Sequence, residues 1–498
     1  MKIPDIIILV VYLAGIVLFG SSFYRKNRSP AAFTLGNNKL PAWVISLSIF
    51  ATYVSSISYL AIPGQSFQSD WNVFAFSLSI PLSTFMAVKY FVPLYRSVNS
   101  PSAYTYLEIR FGKWARIYAS AMYLLTQLMR TGTILFLMAL MLHVITGWSI
   151  MAIILVTGLS VMLYSMAGGI QAVVWTDAVQ AVILVAGALV SAGVLLFSLP
   201  EGPAQLFSIA GEHHKFSLGS FGTELDRSTF WVVLIYGVTI NLQNYGIDQN
   251  YVQRYMAAGS DKDARNSVLF GSLLYIPVSM VFLFIGTGLF TYYKANPGLL
   301  PPGISGDKVF PWFMVNGLPT GLTGLLIASV FAAGMSTVST SINSSATVIL
   351  TDYLKIPPSG AGNDKRAMRV LLTASMVFSL LGMSVAVAMI DVQSVLDSWW
   401  KLASVFSGGM LGLFLLGYFT RHIGKYAAMA GVAAGVLLIG WMGLSPLFLN
   451  TGPGQKLISP FHGYLSIVFG TMAVFLFGFL AGILLNRIKQ FRRGKRIS

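Results

Sequence analysis

The 498-residue chain is 55% hydrophobic and only 10% charged, whereas a soluble domain carries roughly 25% charged residues; a water-soluble fold is excluded. It contains no cysteine, which removes disulfides, thiolate metal sites and a cysteine nucleophile from consideration. The net charge of +16 invites a nucleic-acid reading, but the placement of the cations gives it another meaning.

Stretches long enough to cross a bilayer, about 20 apolar residues each, recur along the whole sequence. The expected spans, thirteen in all, are 5–24, 42–65, 73–94, 116–144, 149–167, 171–198, 229–250, 267–292, 318–350, 367–390, 394–418, 425–446 and 460–486. The first is not a cleavable signal peptide, because its basic cluster (Arg25, Lys26, Arg28) follows the apolar run instead of preceding it. With the amino terminus outside, Lys and Arg concentrate in the loops expected in the cytoplasm, including Arg254, Lys262 and Arg265, and in the tail at 487–496. The outer segments hold Lys2, Lys215, Arg227, Lys294, Lys308 and Lys456. That asymmetry is the positive-inside rule: the basic charge is topological, the carboxyl terminus is cytoplasmic, and no nucleic-acid partner follows. No obligate protein partner is evident, and the expected location is the cell (inner or plasma) membrane.

The second span is interrupted by Ala51-Thr52-Tyr53-Val54-Ser55-Ser56-Ile57-Ser58, followed by Pro63-Gly64, and the ninth carries a second hydroxyl run over 331–345. Polar, Gly- or Pro-interrupted backbone at membrane depth lines a cavity or is buried in protein. A pair of such segments in two halves of a chain points to a transporter's ion and substrate site, so both runs are expected to break their helices. Spans two to six (42–198) and seven to eleven (229–418) form two sets of five. Each set has an odd number of spans, so the second enters the membrane from the opposite side, as in inverted repeats. The second set opens on the polar span 229–250. Residues 1–34 add a helix before the repeats, and 425–498 add two helices and a basic cytoplasmic tail. The fold class is all-α integral membrane.

Three features carry chemistry. Ala333, Ser336 and Thr337 share one helical face, able to offer oxygens to a cation, or simply to pack helices closely. Asp177 lies a short way into its span, where a carboxylate is a functional candidate by default or a structural group near the interface. Arg130 is mid-span, too deep to snorkel easily. Its fork fits a carboxylate bidentately, unless it is paired with Asp177 or Asp248. Asp397 and Lys401 are spaced to pair on one helix. The five histidines (His143, His213, His214, His422, His462) lack metal-ligand spacing, so an enzyme is not expected.

The run Tyr164-Ser165-Met166-Ala167-Gly168-Gly169-Ile170-Gln171-Ala172-Val173-Val174-Trp175-Thr176-Asp177-Ala178-Val179-Gln180 resembles the signature of the sodium solute symporters. Gln249-Asn250-Tyr251-Val252-Gln253-Arg254-Tyr255 and the 331–345 segment match further blocks of that family in order. The resemblance implies the inverted-repeat fold of the leucine transporter class and sodium-coupled import. It implies a sodium site of the Ala51, Val54 and Ala333 carbonyls with the Ser336 and Thr337 hydroxyls, and a second sodium held by Asp177, Ser336, Ser339 and Thr340. Arg130 in Leu128-Met129-Arg130-Thr131-Gly132-Thr133 makes the sialic acid branch the most similar. That branch implies substrate contacts at Ser55, Ser58, Arg130 and Asn241. The chain departs from it at Tyr53, Ser77 and Val73, where the branch has a small hydroxyl, a Gln and an aromatic. Another monocarboxylate, or a neutral sugar or polyol, is the alternative substrate.

Overall fold

The computed structural model describes residues 2–304, 306–357, 364–390, 409–448 and 457–494. Asp397, Lys401 and the first part of the 394–418 span lie outside them. The described residues are helical with no strand; a single bridge joins Leu40 to Ala258.

In chain order the main helices are α1 (Ile3–Ser21), α2 (Ala42–Tyr53), α3 (Ser56–Gln68), α4 (Phe74–Val98), α5 (Lys113–Thr146), α6 (Ile150–Phe197), α7 (Phe230–Ile247), α8 (Gln249–Met256), α9 (Asp261–Ala295), α10 (Leu322–Tyr353), α11 (Asp364–Ala388), α12 (Met410–Phe419), α13 (Lys425–Phe448) and α14 (Leu465–Gly494). Nine helices among the described residues are long and apolar enough to span a membrane, or ten when the bent pair α2 and α3 is one span. The thirteen expected spans differ from this for identifiable reasons. Part of 394–418 is not described, α7 is diluted by Asn241, Gln243 and Asn244, and α6 absorbs two expected spans in one run of 48 residues. A straight helix of that length would reach about 72 Å, more than twice the hydrocarbon thickness.

The family-like signature explains how α6 divides. Gly169 sits at φ 53°, ψ −150° inside it, the one residue of α6 with non-helical backbone, and positive φ favours glycine. A Cβ there would also lie 2.8 Å from the Phe33 Cα. Asn27 donates to the Ala167 carbonyl at 3.1 Å, so the short segment after α1 clasps this turn.

The core is built around α10, the most enclosed of the spans: its apolar window is 94% buried, against 17% for α1. It packs on α1, α2, α3, α5, α6 and α11. Asp5 of α1 accepts from the Gly321 and Gly324 amides at 2.8 and 3.0 Å, placing a carboxylate on the positive end of α10.

One expectation is overturned here. The hydroxyl run at 331–345 does not break its helix; it is continuous α-helix from Leu322 to Val348. Its side chains bond back one turn, Thr340 to the Ser336 carbonyl at 2.7 Å, Ser341 to Thr337 at 3.0 Å and Thr347 to Asn343 at 3.0 Å. Back-bonding of this kind satisfies Ser and Thr inside a helix without opening it. The break in the second half of the chain lies instead at Asp248, between α7 and α8.

Candidate functional site

Two broken helices face α10. In the first, α2 ends on Tyr53, Val54 is extended (φ −81°, ψ 110°), and Ser55 is extended ahead of α3. The Val54 amide closes on Phe50 and the Tyr59 amide on Ser55. The arms bend by 54°, and Pro63 removes one further donor from α3. Helix α9 braces the break closely: a Cβ on Gly286 would lie 2.2 Å from the Pro63 carbonyl oxygen. In the second break, Asp248 is extended (ψ 126°) and its carboxylate accepts from the Asn250 amide at 2.8 Å, capping α8.

The residues expected to hold sodium are all buried where α2 and α10 meet. Ala51 and Val54 flank the first break, and the Thr52 and Thr340 hydroxyls lie 3.4 Å apart across the helix contact. On α10, Thr337 donates to the Ala333 carbonyl at 3.2 Å, while the buried Ser336 hydroxyl has no hydrogen-bond partner. A neutral cluster of carbonyl and hydroxyl oxygens at an unwound helix suits a hard monovalent cation that must also be released.

Asp177 is fully buried, and its partner is Arg254, not Arg130. The Arg254 Nη2 lies 2.7 Å from Asp177 Oδ2, and Ser48 donates to the same oxygen at 2.6 Å. The rest of the guanidinium is also spent. Nε donates to Ser48 at 2.7 Å, Nη1 to the Asn250 carbonyl at 2.7 Å, and Nη2 additionally to Thr340. The other carboxylate oxygen, Oδ1, has no partner, and the Ser336 hydroxyl faces this carboxyl group. Ser339 and Thr340 both donate to the Ser336 carbonyl; the Thr340 oxygen already accepts from Arg254 and keeps one lone pair beyond that bond.

The position of Arg254 corrects the loop assignment made from sequence. It is 1% exposed on α8, a short helix buried along its entire length. The sequence signal was Asp177 itself: a buried carboxylate calls for a cation, and an arginine stands in the family-like block 249–255.

Arg130 has a different environment. It is half-buried, its Nη2 reaches the Thr52 carbonyl at 3.4 Å, and no carboxylate lies within 4.0 Å of it among the described residues. Asp248 and the Tyr251 hydroxyl are its electrostatic neighbours. Asp248 is held by Gln127 at 3.5 Å, and Gln127 accepts from Ser341 of α10 at 2.9 Å. Sequence reasoning missed Gln127 and Ser48, which carry no motif of their own.

Of the remaining expected substrate residues, Asn241 meets Tyr53 directly. Ser55 is buried beside the first break and Ser58 follows on α3, close to the Tyr275 hydroxyl. Ser77 is buried on α4. Asn241 is wholly buried: Tyr53 donates to its Oδ1, and its Nδ2 donates to Ser79 at 2.9 Å and to the Phe76 carbonyl at 3.4 Å. Gly237, one turn earlier on α7, permits this, since a Cβ there would meet the Ser79 Oγ at 2.5 Å.

A helical membrane bundle with two broken helices, enclosing a neutral oxygen cluster and a half-buried arginine without a salt bridge, defines a secondary transporter. The chain belongs to the sodium:solute symporter family, which matches residues 33–435. Sodium is the coupling ion, and the protein is a transporter, not an enzyme. It is 30% identical to the sodium/sialic acid symporter SiaT of Proteus mirabilis over 97% of this chain and 95% of that protein. It is also 30% identical to the human sodium/iodide cotransporter, over 88% of this chain and 68% of that one. Among solved structures it is similar to a Na+-coupled sialic acid symporter, substrate-bound and outward-open, whose description includes a novel Na+-site. The TM-score is 0.87 at 26% identity, covering 97% of this chain and 98% of the other.

Proposed function

We propose that the protein is a sodium symporter importing a carboxylated sugar of the sialic acid type by alternating access, with Arg130 as the carboxylate anchor. The observation that carries this is the state of Arg130: a guanidinium without a salt bridge, next to an unwound helix. An intramembrane charge left without a direct salt bridge is expensive, and an exchangeable carboxylate relieves that cost with two parallel hydrogen bonds. The similarity to SiaT along nearly the whole chain supports the sugar acid. The equal identity to an iodide carrier means that the anchor, not overall similarity, has to carry the choice of substrate.

In this reading the Ala51, Val54 and Ala333 carbonyls and the Ser336 and Thr337 hydroxyls hold one sodium. Asp177 Oδ1 with Ser336, Ser339 and Thr340 holds a second; the Ser336 hydroxyl facing the Asp177 carboxyl group, with neither that hydroxyl nor Oδ1 in a close hydrogen bond elsewhere, supports it. Ser55, Ser58 and Ser77 contribute polar contacts to the sugar. The chain crosses the membrane thirteen times, with residues 42–198 and 229–418 as inverted five-helix repeats of the leucine transporter kind. Its amino terminus lies outside and its carboxyl terminus in the cytoplasm of the cell membrane, with no obligate protein partner. Uptake into proteoliposomes tests the whole. Sialic acid should accumulate only with an inward sodium gradient, and its methyl ester, which lacks only the charge, should not compete. Accumulation in potassium alone, or equal competition by the ester, rejects the proposal.

A further inference from the structure

The Tyr53–Asn241 pair has the chemistry of an occupied subsite. An asparagine amide offers two N–H donors and one carbonyl acceptor. Both directions for donation from Asn241 Nδ2 are taken, by Ser79 and Phe76, and its carbonyl accepts from the Tyr53 hydroxyl. An incoming substrate hydroxyl finds both N–H donors of this amide taken and one of the two carbonyl lone pairs filled by Tyr53.

The ring of Tyr53 is not positioned to yield easily. It is 8% exposed and stacks on Tyr245 at 5.5 Å with an interplanar angle of 14°. It also meets Tyr275 edge-on at 4.5 Å and Tyr251 at 6.4 Å. Aromatic contacts of this geometry add to simple burial. Moving the ring would break them and leave a buried amide oxygen without its donor, which is costly. Tyr53 also follows Thr52, whose carbonyl receives Arg130. The residue that closes Asn241 is therefore next in sequence to the one that steadies the carboxylate anchor.

We infer that Tyr53 is a specificity-determining residue: its hydroxyl takes the place of a substrate hydroxyl on Asn241 and its ring fills the space beside that amide, so an acid with a shortened polyhydroxy tail is accepted at least as well as the full-length sugar. The inference rests on the reading of Arg130 as a carboxylate anchor for a sialic acid type of sugar. It narrows that class, and it assigns Asn241 to holding Tyr53 instead of holding substrate.

The test compares two probes on the intact protein in sodium: N-acetylneuraminate and its tail-truncated analogue, made by periodate cleavage of the vicinal diols and borohydride reduction. The readout is the ratio of their affinities. Wild type should bind the truncated acid at least as well as the full one. Tyr53→Thr, which removes the ring and keeps a hydroxyl, should move the ratio toward the full-length sugar by about tenfold, the worth of one or two hydrogen bonds. Tyr53→Phe keeps the ring and frees the Asn241 carbonyl. It should shift the ratio the same way by a smaller factor, and it serves if the Thr variant is unstable. A shift below about threefold in both variants, with both probes bound, overturns the role of Tyr53 and leaves the sugar-acid reading standing. Binding of neither probe by any of the three proteins overturns both.

Discussion

Two of the arginines in this bundle, Arg254 and Arg130, have opposite surroundings. Arg254 is 1% exposed and spends every nitrogen of its guanidinium on Asp177, Ser48, Thr340 and the Asn250 carbonyl. Arg130 is half-buried and makes one long contact to the Thr52 carbonyl. A permanently charged side chain in a low-dielectric interior needs compensation. Arg254 has it built in, and its charge serves the architecture by tying α8 to α2, α6 and α10. Arg130 has Asp248 and the Tyr251 hydroxyl nearby but, among the described residues, no carboxylate in salt-bridge contact, which leaves its fork open to a counter-ion that arrives and leaves. The same residue type thus holds the frame in one place and is left open in another.

The largest effect should come from breaking the closed pair. Removing one member of a buried ion pair leaves the other uncompensated, at a cost of about 3–5 kcal/mol. Arg254→Ala should therefore lower the melting temperature in detergent severely, while Asp177→Asn combined with Arg254→Gln should recover much of the loss. If Arg254→Ala melts like wild type, the pair is not structural. Asp177→Asn alone carries a second reading. If Oδ1 ligates a sodium, the sodium Hill coefficient should fall even in protein that remains folded.

Next in size is the open arginine. Charge-assisted hydrogen bonds are worth about 1.5–3 kcal/mol, or roughly 10- to 150-fold in affinity. Arg130→Ala should weaken a carboxylate substrate by that order, and Arg130→Lys by less, because the charge stays while the fork is lost. Thermal stability should change little, the reverse of Arg254. Binding assays and melting curves on all of these variants would either separate the two arginines or merge them.

The contrast also marks how far the sequence could be read. The break at Val54 was legible because Ser55, Ser56, Ser58 and Pro63 crowd one short stretch, where helix is weakened by side-chain competition and a missing donor. The run at 331–345 has the same composition and stays helical, because its hydroxyls bond back one turn; composition does not distinguish these outcomes. Arg130 stood out by depth alone. Arg254 was hidden because the chain breaks at Asp248 and re-enters the bundle, so a residue beyond the polar run of α7 looked like part of a loop. Tyr53 was visible as a departure, but its bond to Asn241 joins residues far apart in sequence and only the fold brings them together.

The smallest expected effect lies outside the membrane and compares these arginines with a cation that does titrate. Lys215, in the segment between α6 and α7, is buried against the end of α3. It donates to the Phe67 carbonyl at 2.9 Å and to that of Ser69, with its ammonium 4.2 Å from the centre of the Phe290 ring. It therefore caps the carboxyl-terminal carbonyls of the broken helix. Desolvation brings its pKa down to about 8, opposed in part by Asp70. In the unfolded chain a lysine titrates near 10.4. Between these values the unfolded state holds more protons than the folded one, so the Lys215 contribution to stability rises with pH from about 8 to about 10.4 and is flat below. The melting temperature of wild type minus that of Lys215→Met should climb across this window by a few degrees at most. A difference that stays level would mean that Lys215 keeps an ordinary pKa, and one that falls would mean that its folded pKa is raised; either overturns the desolvation account.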